Sequence, residues 1–199
     1  MSIFKIKNRK EVLAWSLYDF ANQPFTTIIV TFIYSAFFVK VIATNEQEGT
    51  FLWSMAISIT AIVVALLSPI LGALADSGGY RKFFLITSTW ICAIFSFLLY
   101  FPNVGDVYFA LFCFIIANIA FEIGSVFCNS YLPDLSSSDN IGRISGYAWG
   151  LGFIGGLLAL FLSLFLFDIN NPDEIRKINI LVGVWFLLFS IPTFLFLKD

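Results

Sequence analysis

The chain has 199 residues, 59% of them apolar and only 12% charged, with a mean hydropathy of +0.91 and a net charge of −2. That composition excludes an ordinary soluble domain, and with its basic run confined to Lys5, Lys7, Arg9 and Lys10 it excludes nucleic-acid binding too. The lack of histidine removes His-based zinc sites, Ser-His and Cys-His pairs and axial-His haem, so no catalytic residue, cofactor or metal is expected.

What remains is an all-α polytopic membrane protein. A helical span takes about 20 residues, so six spans use about 120 and leave about 80 for loops and ends. Six apolar stretches are predicted as transmembrane helices, near residues 14–43, 51–75, 83–101, 107–131, 144–167 and 178–197. Residues 1–13 form an N-terminal segment and 14–199 a six-helix bundle. Basic residues precede the first apolar run as in a signal peptide, but Asp19, Asn22, Gln23 and Pro24 interrupt it, so it reads as a retained helix. Threading alternate sides groups Lys5, Lys7, Arg9, Lys10, Arg81, Lys82, Arg143 and Lys198 on one face, against Lys40, Arg176 and Lys177 on the other. The positive-inside rule then predicts both termini in the cytoplasm, and the Lys, Asn, Ile and Phe richness points to a bacterial cytoplasmic membrane.

On the first helix Asp19, Asn22, Gln23 and Thr26 cluster within roughly 100°, beside a kink expected where Pro24 removes a backbone donor. On the fourth, Asn118, Glu122, Ser125 and Asn129 fall within about 60° of one another. A carboxylate in hydrocarbon costs several kcal/mol unless it meets a partner or water. Either the two stripes line a wet path, with the acids holding a proton, a sodium ion or a substrate amine, or they are interhelical hydrogen-bond glue.

The second and third helices are joined by a tight loop in which Gly72, Asp76, Gly79, Arg81 and Lys82 are spaced to latch two helix ends through charge-assisted bonds. On the fifth helix Gly142, Gly146 and Gly150, then Gly152, Gly155, Gly156 and Ala159, form a small-residue ladder expected to give close helix packing. Trp15, Trp53 and Trp149 sit near span ends and suit interfacial anchoring. Cys92, Cys113 and Cys128 read as small buried hydrophobes.

The run Gly72, Leu74, Asp76, Gly79, Arg81 and Lys82 resembles the signature loop of the major facilitator superfamily, with Ser77 and Tyr80 where that loop often carries bases. Three further segments, 15–22, 129–134 and 141–146 with the Trp149-Gly150 and Gly155-Gly156 that follow, are similar to its vacuole-effluxer-like branch. The resemblance implies twelve helices in two halves, of which this chain supplies the N-terminal six, and a solute held between the halves by their first and fourth helices. It implies a secondary transporter of a small polar solute, amino acids included, working by alternating access. Asp76 and Arg81 would brace the closed face, and a second six-helix half would come from a partner chain or a second copy. The alternatives are a transport-incompetent remnant or a membrane assembly subunit. An intramembrane aspartyl protease would pair Asp19 with Asp106, whose motif lacks its first glycine.

Overall fold

The structure is a computed structural model that describes residues 9–76 and 79–198. Lys5, Lys7 and Ser77 lie outside the described residues, as does the side chain of Asp76. The fold is 85% helical, without strands among the described residues, and six of its helices are long and apolar enough to cross a membrane. The first span runs from Arg9 to Ile42: α1 (Arg9–Pro24), a π-helical stretch (Phe25–Phe32), α2 (Tyr34–Phe37) and a second π-helical stretch (Phe38–Ile42). The others are α3 (Glu46–Asp76), α4 (Arg81–Leu98), α5 (Val107–Asn129), which is followed by the short α6 (Leu132–Leu135), α7 (Ile141–Leu166) and α8 (Pro172–Phe196).

All but one of the spans start two to six residues before the apolar stretches that signal them, because polar residues there are already helical. The Asn45 side chain accepts from Glu48 N at 2.8 Å, and the Asn171 side chain accepts from Asp173 N at 3.0 Å. Both satisfy an orphan N–H, and Glu46, Glu48, Asp173 and Glu174 complement the positive ends of their helices.

Pro24 replaces the N–H that would bond Phe20 O, and the first span turns π-helical from the next residue. The freed carbonyl is taken by α8, whose Trp185 Nε1 donates to Phe20 O at 3.2 Å. α7 approaches the same carbonyl so closely that a Cβ at Gly155 would collide with it.

α1 lies between α7 and α8, while α5 packs on α3 and α4. Over half of the apolar stretch that α5 heads is buried, against few residues of α3, so α5 is central and α3 is peripheral. Two of the expected interfacial anchors are core residues instead. Trp15 is 2% exposed and its Nε1 donates to Cys128 O at 2.8 Å, capping the end of α5, while Trp53 is 6% exposed and stacks on Phe114 at 4.0 Å. Hydropathy places a tryptophan near a span end but does not show which way its ring turns. The three cysteines are free and buried.

Candidate functional site

A cavity of about 270 Å³ opens between α1, α5 and α7. α1 contributes Trp15, Asp19, Asn22 and Gln23; α5 contributes Phe121, Ser125 and Asn129; α7 contributes Ser145 and Trp149. These positions belong to the first half of the first span, the second half of α5 and the first turns of α7. The cavity therefore sits toward the end of the bundle that carries Arg9 and the α3–α4 turn.

Close contact between α1 and α7 sets its floor. A Cβ on Gly152 would come within 3.1 Å of Asp19 Cβ and 3.2 Å of Asp19 O, and one on Gly156 would come within 3.0 Å of Gln23 Cγ. Only hydrogen at these positions lets the polar face of α1 lie against α7. Farther along the same α7 face come Trp149 and Ser145, at the i, i+4, i+7, i+11 spacing of Ser145, Trp149, Gly152 and Gly156. That spacing is the signal that could have added Ser145 and Trp149 to the expected site residues.

Among the described residues, the side chains of Asp19, Asn22, Gln23 and Asn129 bond no other protein group, although Asn22 is 5% exposed. Ser125 donates to Phe121 O of its own helix at 3.1 Å. Of the polar groups around the cavity, Trp15 ties α1 to the end of α5 through Cys128 O, while the amides and the carboxylate make no interhelical bond among the described residues.

The two stripes are only partly brought together. Thr26 turns its hydroxyl to Gln23 O at 2.9 Å and lines a separate, apolar groove of about 360 Å³ with Gln23 and Thr27. Glu122 is half-buried and Asn118 buried, and neither lines the Asp19 cavity. Asn118 is too deep, eleven residues or roughly 16 Å of helix from Asn129, whereas Glu122 is displaced around the helix: the cavity follows Phe121, Ser125 and Asn129 at i, i+4, i+8, and Phe121 occupies the level of Glu122.

The turn after α3 uses Gly79 at φ +82°, a left-handed conformation that glycine adopts without cost. Among the described residues Arg81 meets the carboxylate of Asp134, at 2.7 Å, and the same guanidinium group donates to Ser130 O at 3.1 Å and lies 4.5 Å from the Tyr131 ring centroid; the expected brace with Asp76 falls on a side chain outside the described residues. The latch thus joins the start of α4 to the end of α5, where a cation also suits the helix dipole. Lys82 Nζ donates to Leu197 O at 2.9 Å, and Gly72 has open space around it.

The small-residue ladder divides. Gly152, Gly155 and Gly156 pack tightly, but a Cβ on Gly142, Gly146 or Gly150 would meet nothing within 4 Å, so these three provide no helix packing within the chain. The pairing required of an aspartyl protease is also absent. Asp106 accepts from Asn103 N in a turn beside Ile42, at the far end of the first span, about 35 Å of helix from Asp19.

A family model described as vacuole effluxer Atg22 like matches residues 39–199. The chain is 25% identical over 198 residues to the uncharacterized MFS-type transporter YxiO of Bacillus subtilis, covering 92% of this chain and 45% of that protein. It is 27% identical over 196 residues to the multi-drug resistance efflux pump PmrA of Streptococcus pneumoniae, covering 94% of this chain and 44% of that one. It is 24% identical over 206 residues to autophagy-related protein 22 of Yarrowia lipolytica, with 74% and 35% covered. The chain thus spans less than half the length of these relatives, corresponding to their N-terminal half.

Proposed function

The chain belongs to the vacuole effluxer Atg22-like family, and from that premise we propose that it forms one half of a secondary transporter in which the Asp19 cavity holds the solute. The solute is small and polar, amino acids being one candidate class, and the name of the pneumococcal relative favours outward movement. The cavity end faces the cytoplasm, in keeping with the grouping of Arg81, Lys82 and Arg143 there. A second six-helix half, from a partner chain or a second copy, closes the cavity from the open side of α7 and rocks against this half. A proton or sodium ion at Asp19 or Glu122 couples the movement.

One observation carries this reading: Asp19, Asn22 and Gln23 of α1 and Asn129 of α5 share a cavity, and among the described residues their side chains bond no other helix. Glue would consume them in interhelical hydrogen bonds, whereas a solute path leaves them free for water and cargo. The test is aqueous labelling of single cysteines introduced at Asn22 and Asn129 in a background lacking the buried native ones. A membrane-impermeant maleimide labels both and leaves a cysteine at Phe161, on the apolar outer face, unmodified. Unlabelled positions 22 and 129 would reject a wet path.

A further inference from the structure

We propose that the solute taken by the Asp19 cavity is a small monocationic amine with an apolar body and no carboxylate. The proposal rests on the carrier reading above and narrows its solute.

The charge around the cavity is one-sided. Asp19 is its single ionisable lining group, and among the described residues no lysine or arginine lines it. The nearby Arg81 is engaged by Asp134 and Ser130 O. The last turn of α5, bearing Asn129, adds the negative end of a helix dipole. Ser145 lies on the second turn of α7, beyond most of the N–H groups that helix start leaves free. A zwitterion's ammonium would be welcome here, but its carboxylate would sit within a few ångströms of Asp19 with no cation among the described lining residues of this half to offset the repulsion.

The aromatic groups point the same way. Trp149 is 69% exposed, and its ring is met by Phe153 at a tilted 5.7 Å, with no cation over it among the described residues. Gly152, on which the Asp19 backbone rests, is one turn along the same face of α7. A carboxylate and an indole face on adjoining helices hold a cation from two sides, one by charge and one by the ring quadrupole. Phe121 offers an apolar wall for the rest of the molecule, and Asn22 and Gln23 orient the remaining N–H groups. At about 270 Å³ the space suits a small ligand, just below the roughly 300–1,000 Å³ of drug-sized pockets.

Phenethylamine and phenylalanine share a benzyl body and differ by the carboxylate, so they separate the two solute classes. Calorimetric titration of the assembly purified from its host membranes should show phenethylamine binding at least about tenfold more tightly than phenylalanine. Asp19→Asn should weaken phenethylamine by about tenfold or more. Trp149→Leu, at an exposed position that leaves the fold intact, should weaken it about three- to tenfold, and Trp149→Phe should restore most of the loss. Equal binding of the two probes, or no loss in Trp149→Leu, overturns the amine assignment while labelled cysteines at 22 and 129 keep the carrier reading standing. If neither probe binds, the amine assignment falls, and unlabelled cysteines then bring down the carrier reading with it.

Discussion

The two glycine runs of α7 share a helix and have opposite surroundings. Gly152, Gly155 and Gly156 lie against the backbone and side chains of α1, where added methyl groups would overlap Asp19, Phe20, Gln23 or Thr27. Gly142, Gly146 and Gly150, one to three turns earlier, have open space around them. The first run places the Asp19 cavity by letting α1 and α7 touch. The second leaves a smooth strip on the side where a second half is proposed. A small residue permits close approach, but only a neighbour turns permission into packing.

Substitutions should reproduce that contrast in thermal unfolding of the detergent-solubilised protein. The largest effect is expected for Gly155→Ala, whose Cβ would strike both the carbonyl and the ring of Phe20; backbone cannot yield cheaply, and a loss of about 2–3 kcal/mol is expected. Trp185→Phe removes the donor that Phe20 O receives in place of the missing Pro24 N–H, and should cost about 1–2 kcal/mol. Gly152→Ala forces a shift of a few tenths of an ångström at Asp19 and should cost about 1 kcal/mol, with solute binding falling more than stability. Gly146→Ala, in open space, should change stability by no more than about 0.5 kcal/mol, or raise it slightly through helix propensity. If Gly146→Ala destabilised the chain as much as Gly155→Ala, the division of α7 into a packed and an open run would be wrong.

Angular order around each helix was readable in the sequence, and depth was not. Asp19, Asn22 and Gln23 were assigned one face, as were Ser125 and Asn129, and the structure puts these five around one cavity. Thr26 and Asn118 share those faces but lie deeper, and periodicity carries no information about how far a cavity reaches along an axis; Glu122 is at the right depth but off the line of Phe121, Ser125 and Asn129 that the cavity follows. Six spans were evident because lipid demands long apolar runs. Their polar first turns were missed because Glu46 or Asp173 has no hydropathic signature, although the Asn45 and Asn171 caps supply a chemical one. The burial of Trp15 and Trp53 depends on partners distant in sequence, Cys128 and Phe114, which no local pattern specifies.

The Phe20 carbonyl gives Pro24 an unusual setting. A proline inside a span is ordinarily a loose joint, since the oxygen it strands can be rehydrated as the helix bends. Here that oxygen is propped by an indole from the last span and crowded by the fifth. Any swing of the first span must therefore drag its two flanking neighbours or break the prop. Trp185 emission, sensitive to that single bond, would signal which of the two occurs as cargo arrives.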